Sequence, residues 1–247
     1  MNRYGLIGFP LTHSFSQRYF TEKFEREGII DSRYDLFDMP AISGLTDLLQ
    51  LPGLRGLNVT IPHKQAVFPY LDRLDTSAEK IGAVNVIKLE ADGSRTGYNS
   101  DYYGFRQSLT DWLTKLERVP TDLKALVLGT GGASKAVTVA LTDLGIPYKF
   151  VSRTKTPDNL TYEELPDVLA DYSLLINGSP VGTYPRTSEA PDIPYHLLTD
   201  KHLLYDLVYN PAETQFMKLG LERGASVHNG LRMLELQAEK AWEIWQS

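Results

Sequence analysis

The sequence predicts an α/β fold in two lobes, and three features carry that prediction. Short apolar strands alternate with helical patterns from end to end, which implies βαβ units and mainly parallel sheets. A helical segment from Tyr102 to Pro120 separates this alternation into two series. The last helix carries an apolar stripe that needs a surface to cover, and the first lobe is the expected one. The first lobe is therefore expected from residues 1–101 and 231–247, and the second from residues 102–230.

The first series opens with a strand at Tyr4 to Ile7, a helix from Ser16 to Gly28, a strand at Tyr34 to Phe37 and a helix at Ala41 to Gln50. Leu54 to Thr60 and Ala83 to Leu89 read as further strands, the latter paired with Arg95 to Tyr98 across an Asp92-Gly93 turn. Phe105, Leu109, Trp112, Leu113 and Leu116 then recur at helical spacing, and Pro120 ends that helix. The second series has strands at Ala125 to Leu128, Tyr148 to Ser152, Leu174 to Ile176 and Leu203 to Tyr205, and finishes near Gly230. Leu231, Leu234, Ala238, Ala241, Trp242 and Trp245 form the closing stripe, with Gln237 beside Met233 and Ala241.

A chain of 247 residues can bury a substantial core. Its net charge of −6, with both signs interspersed, offers no basic face for nucleic acid and no polybasic run for a membrane. With no cysteine there are no disulfides, thiolate zinc sites or thiol nucleophiles. The histidines His13, His63, His196, His202 and His228 show no ligand spacing, so no metal is expected. The N-terminal segment is too short and too broken by Gly and Pro for a secretory signal, and no apolar run reaches membrane-spanning length. The expected setting is the cytoplasm, and the expected partner a small molecule bound by a monomer or homodimer.

Leu126-Val127-Leu128-Gly129-Thr130-Gly131-Gly132-Ala133-Ser134 places a glycine-rich turn between an apolar strand and the helical run Ala136 to Leu144. That context suits a dinucleotide. Gly129 permits the turn, Gly131 lets backbone N–H groups approach a pyrophosphate, and the helix N-terminus favours negative charge. The second lobe is thus expected to be Rossmann-like and doubly wound. About twenty residues on, an NAD protein usually shows an acidic residue for the ribose hydroxyl. This chain shows Ser152-Arg153-Thr154-Lys155, which suits a 2′-phosphate and points to NADP.

In the first lobe, strand alternation puts Asn58 and Thr60 on one face, and Asn85 interrupts an otherwise apolar strand. Uncharged donors and acceptors there suit a polyhydroxylated ligand; strand-end hydrogen bonding is the plainer alternative. Ser14 and Gln17 read as a capping box, and Asp101 as the N-cap of the dividing helix. Asn58-Val59-Thr60-Ile61-Pro62-His63-Lys64 is expected to carry Lys64 into the first turn of a helix. A cation there opposes the helix dipole and is more easily deprotonated, as a proton-shuttling group requires.

These segments together resemble the shikimate dehydrogenase family. Gly8 to Ser16 looks like its N-terminal substrate loop, and Asn58 to Lys64 like its catalytic lysine motif. Gly82 to Asn85, Asn99 to Gly104, Gly129 to Ser134, Ser152 to Thr154, Asn177 to Gly182, Asp206 to Pro211 and Asn229 to Leu234 with Gln237 follow in the family's order. The resemblance implies reversible NADPH-dependent reduction of 3-dehydroshikimate to shikimate, with Lys64 and Asp101 as the catalytic pair. It implies substrate contacts from Ser14, Ser16, Asn58, Thr60, Asn85, Asp101, Tyr209 and Gln237. It implies cofactor contacts from Gly129, Gly131, Gly132, Ala133, Ser152, Arg153, Thr154, Lys155, Asn177, Ser179, Leu207 and Gly230. The chain departs from the family's pattern at Ser152, where Asn is usual, and near Pro157, where a basic residue is replaced and Lys155 stands in. It departs again at Gly178-Ser179 and at Arg232.

Two rival readings share this architecture: a quinate or quinate/shikimate dehydrogenase, and a non-catalytic ligand sensor that kept the binding site. Retention of Lys64 and Asp101 opposes the sensor. The short-chain dehydrogenase spacing of Tyr19-x-x-x-Lys23 precedes the glycine loop, in the wrong order, and is read as an accident of an amphipathic helix.

Overall fold

A computed structural model describes residues 1–11 and 14–247, so Thr12 and His13 of the Gly8 to Ser16 motif lie outside the described residues. The chain divides into two compact units, Met1–Ser100 with Gln237–Ser247, and Asp101–Leu236.

In the first unit, β1 (Asn2–Gly8), α1 (Phe15–Arg26), β2 (Ser32–Asp38), α2 (Leu45–Leu48) and β3 (Leu54–Val59) form a parallel half. They are followed by β4 (Arg73–Leu74), α3 (Thr76–Ile81), β5 (Val86–Leu89) and β6 (Arg95–Tyr98). The sheet order is β2-β1-β3-β5-β6-β4, and β5 runs antiparallel to both β3 and β6. Side-chain alternation along β1 sends Tyr4 and Leu6 into one core and Ile7 into the other, so both faces of the sheet are covered. The first of these cores takes Phe20 and Phe24 from α1 and Ala238, Ala241 and Trp245 from the final helix.

The second unit follows α4 (Ser100–Lys115) with β7 (Ala125–Leu128), α5 (Gly132–Asp143), β8 (Tyr148–Val151), β9 (Asn159–Leu160) and α6 (Leu165–Val168). Then come β10 (Leu174–Asn177), β11 (Leu203–Asp206), α7 (Gln215–Leu221), β12 (Ser226–His228) and α8 (Leu231–Gln246). Every pairing in its sheet, ordered β12-β11-β10-β7-β8-β9, is parallel. Leu126, Leu128, Leu175 and Leu204 face one core, and Val127, Leu174, Ile176 and Tyr205 the other, as a sheet covered by helices on both faces requires.

Several expectations need correction. Lys64 does not enter a helix: residues 61–67 form successive turns before a short 3₁₀ segment at Phe68–Tyr70. A single α-type bond closes from Val67 N–H to the His63 carbonyl at 3.1 Å, but the Lys64 carbonyl accepts the Val84 N–H at 2.8 Å and Phe68 N–H turns to Gln65, so the turn does not propagate into a helix. The expected helix at Ala41 to Gln50 is a 3₁₀ turn at Ile42–Gly44 running into the four residues of α2. Asp101 lies inside the first turn of α4, one residue past its start, so it is not the N-cap. Met233 packs into the second unit's core while Ala238 and Ala241 pack into the first's, and Leu231, expected on the buried stripe, is exposed.

Candidate active site

In the first unit, Ser16, Asn58, Asn85 and Gln237 of the expected substrate residues join one network around β3, β5 and the start of α4, whereas Asp101 and Tyr209 belong to the second unit. Tyr34, in the middle of β2, donates its hydroxyl to Asn58 Oδ1 at 2.7 Å and is hydrogen-bonded to the Ser16 hydroxyl. Burial pushes its phenol far above the ordinary range, with the Ser16 bond opposing, so it stays neutral. Asn58 Nδ2 donates to the Asn85 carbonyl at 3.3 Å. Asn85 in turn holds Ser100: Oδ1 accepts the Ser100 N–H at 2.7 Å, and Nδ2 donates to Ser100 Oγ at 3.0 Å. Ser100 Oγ donates to Gln237 Oε1 at 3.3 Å. Tyr34, Asn58, Asn85, Ser100 and Gln237 are all buried, so this chain of bonds is shielded from water and fixes its amides.

Ser14 N-caps α1, its Oγ accepting the Gln17 N–H at 3.2 Å. Thr60 leaves β3 with its N–H on the Ile7 carbonyl at 2.9 Å and its own carbonyl accepting from His63. The buried His63 ring contacts the Met39 carbonyl through Nε2 at 2.5 Å, which pins the turn that presents Lys64. Tyr34 and Ser100 escaped sequence reasoning. Tyr34 reads as an ordinary aromatic of a strand, and nothing local distinguishes Ser100 from any helix-start serine. Tyr19 and Lys23 have a structural role instead: both bond Glu239, Lys23 at 2.8 Å, joining α1 to α8.

In the second unit the glycine loop turns at Gly129, whose φ of +99° only glycine adopts readily. Gly131 caps α5, and a Cβ added at Gly131 or Gly132 would meet nothing within 4 Å. Open space at a helix N-terminus with backbone donors fits a dinucleotide pyrophosphate. Ser134 is buried and donates to the Gly129 carbonyl at 3.0 Å. A Cβ at position 178 would lie 2.6 Å from Ser134 Oγ, so the unusual Gly178 is what admits the serine hydroxyl.

Beyond β8, Ser152 Oγ accepts the Thr154 N–H at 3.1 Å, and the buried Asn159 donates to the Thr154 carbonyl at 2.8 Å while accepting the Thr156 N–H at 2.6 Å. Arg153 is exposed on this braced turn with no ion-pair partner among the described residues. Lys155, expected beside it, is engaged elsewhere: Nζ lies 2.7 Å from both Glu164 carboxylate oxygens. At the ends of β10 and β11, Asn177 Oδ1 accepts from Ser179 N–H at 3.1 Å and Oγ at 2.7 Å, and Tyr209 is exposed. Gly230 N–H bonds the Val208 carbonyl at 3.2 Å, and a Cβ there would strike the Leu207 carbonyl at 2.1 Å, so Leu207 and Gly230 are brought together. Among the described residues there is no group of three or more His, Cys, Asp or Glu able to hold a metal, and no helix long and apolar enough to cross a membrane.

The family profile described as the shikimate dehydrogenase substrate binding domain matches residues 6–87. A protein of Clostridium beijerinckii named shikimate dehydrogenase (NADP(+)) is 40% identical over 100% of this chain and 92% of its own length. The crystal structure of shikimate dehydrogenase 1 from Peptoclostridium difficile is 36% identical, with a TM-score of 0.82 over 100% of this chain and 92% of that one. The shikimate 5-dehydrogenase of Thermus thermophilus, solved with NADP(H) and shikimate, is 30% identical with a TM-score of 0.83 over 99% of this chain and 93% of that one. With a relative this similar along its whole length, the chain belongs to the shikimate dehydrogenase family.

Proposed function

We propose that this chain catalyses the reversible, NADPH-dependent reduction of 3-dehydroshikimate to shikimate, a step of aromatic amino-acid biosynthesis. The end-to-end likeness to a relative named shikimate dehydrogenase (NADP(+)) carries the reading. The lysine motif and the open glycine loop support it. NADPH, when bound, supplies the hydride. Residues 1–101 and 231–247 serve the substrate, and residues 102–230 the cofactor.

Ser14, Ser16, Asn58, Thr60, Asn85, Tyr209 and Gln237 hold the substrate's carboxylate and hydroxyls. The buried bonds from Tyr34 and Ser100 hold Asn58, Asn85 and Gln237 in place before substrate arrives, which lowers the ordering cost of binding. Negative charge develops on the carbonyl oxygen during reduction. The Lys64 ammonium stabilises it and delivers the proton, and Asp101 orients the lysine and bonds a substrate hydroxyl. Gly129, Gly131, Gly132 and Ala133 cradle the pyrophosphate. Ser152, Arg153 and Thr154, with Lys155 when released from Glu164, would take the 2′-phosphate, and Asn177, Ser179, Leu207 and Gly230 would contact the rest of the cofactor. The enzyme acts in the cytoplasm as a monomer or homodimer on a small-molecule substrate.

The test is a four-way activity matrix of shikimate or quinate with NADP or NAD. Highest catalytic efficiency with shikimate and NADP is expected. A preference for quinate and NAD would replace this reading with the paralogous one, and absence of turnover in all four would leave a ligand-binding protein.

A further inference from the structure

Asp206 ends β11 with no exposed surface, yet the reaction outlined above gives it no part. Its Oδ1 accepts from Asn177 Nδ2 at 2.9 Å and from the Val208 N–H at 3.0 Å; its Oδ2 accepts from the Thr214 hydroxyl at 2.6 Å. Burial pushes this carboxyl up to about 6, the signature of a charge costly to keep in an interior whose neighbouring core is apolar. The three donors lie on three separate segments. Asn177 ends β10 and sets the Ser179 turn, Val208 leads to Tyr209, and Thr214 N-caps α7 by accepting the Met217 N–H at 3.3 Å.

We propose that Asp206 is a positioning residue, one buried carboxylate that fixes the loops after β10 and β11 together so that Ser179 and Tyr209 meet the reacting groups in register. The proposal rests on the functional reading above. Among the described residues Asp206 makes no hydrogen bond to the glycine loop or to the Arg153 turn, which leave other strands of the sheet, β7 and β8. Losing it should therefore disturb the cofactor contacts of Asn177 and Ser179 but leave those of the glycine loop and Arg153, so turnover falls more than cofactor affinity. An asparagine keeps an oxygen for Asn177 and Val208 and turns an N–H toward Thr214 Oγ1, so most of the brace survives. An alanine leaves all three donors without their acceptor.

The experiment compares wild type, Asp206→Ala, Asp206→Asn and Thr214→Val in the intact chain, reading kcat with shikimate, NADP affinity by fluorescence titration, and the folded fraction by thermal melting. Asp206→Ala should lower kcat per folded molecule by about ten- to a hundredfold, as loops displaced by an ångström would, and leave the NADP dissociation constant within about threefold. Asp206→Asn should recover most of that loss, and Thr214→Val should fall between. A purely structural role would lower melting temperature and leave kcat per folded molecule unchanged. An Asp206→Ala variant with kcat within about twofold of wild type overturns the proposal, as does a loss of kcat matched by an equal loss of NADP affinity. Should Asp206→Ala fail to fold, a fully active Thr214→Val overturns it equally. Wild type lacking any turnover would overturn the functional reading and the proposal with it; an active wild type indifferent to Asp206 overturns the proposal alone.

Discussion

Tyr34→Phe isolates the side-chain bond that ties β2 to the expected substrate face. The ring is buried against Phe20, stacked at 4.7 Å between centroids, and phenylalanine preserves that packing. Only the hydroxyl is lost, and with it the 2.7 Å donor to Asn58 Oδ1 and the partner of Ser16. Asn58 is itself buried, so water cannot replace the donor. An unsatisfied buried acceptor costs about 1–3 kcal/mol. At roughly 2–4 °C per kcal/mol for a chain of this size, the melting temperature should fall by about 2–12 °C. Asn58 and Ser16 lose their fixed orientation together, so the KM for shikimate should rise by about tenfold, equivalent to about 1.4 kcal/mol. NADP affinity should not move, because Tyr34 belongs to the unit that lacks the glycine loop. Calorimetry and steady-state kinetics with each reactant varied would read all three quantities. A melting temperature within about 1 °C of wild type, together with an unchanged KM for shikimate, would refute the reasoning.

Four further outcomes are expected. Lys64→Ala should lower kcat by about two to four orders of magnitude with a smaller effect on KM, and near-normal turnover in the folded variant would sink the acid/base assignment. Arg153→Ala should weaken NADP roughly ten- to a hundredfold and leave NAD little changed. In the same series Glu164→Gln should release Lys155 and improve NADP binding by up to about fivefold at low salt, and a cofactor ratio indifferent to both changes would remove the 2′-phosphate site from this turn. Asp206 supplies the pH dependence: with its carboxyl near 6 in the folded state against 3.8 when unfolded, its favourable contribution is complete below about 3.8 and is lost as pH rises through about 6. Asp206→Asn should therefore gain on wild type by up to about 3 kcal/mol between pH 4 and 7 in urea titrations, and parallel stability curves would count against the raised value.

What could be read from the sequence was what depends on contiguous residues. The run Leu126 to Ser134 contains its own strand, turn and helix start, so β7, the Gly129 turn and α5 follow from local chemistry alone. Asn58 lies on β3, the strand expected at Leu54 to Thr60, but its partner Tyr34 lies two strands away through a parallel crossover and carries no local mark. Lys64 fails for a similar reason. Its segment has the capping signals of a helix, and a backbone donor from Val84, twenty residues on, takes the carbonyl the helix would have used. Asp206 did leave a signal, an acidic residue closing the apolar run Leu203 to Tyr205; recognising it required asking where a carboxylate so placed would find donors.

The cofactor turn shows how departures from a family's pattern are absorbed. At the strand end Ser152 Oγ accepts the Thr154 N–H, and Asn159, whose buried amide ties Thr154 and Thr156 across the turn, completes the brace. The basic residue missing near Pro157 is not simply replaced by Lys155. Glu164 holds that lysine and also accepts the Thr161 N–H at 2.7 Å, so its carboxylate is fixed by the capping box and cannot leave with the lysine. Recruiting Lys155 to a phosphate therefore means breaking two 2.7 Å contacts, whereas Arg153 has no ion pair to break among the described residues. The 2′-phosphate selectivity of this chain should consequently rest on Arg153 first, with Lys155 as a reserve whose contribution grows as Glu164 is neutralised.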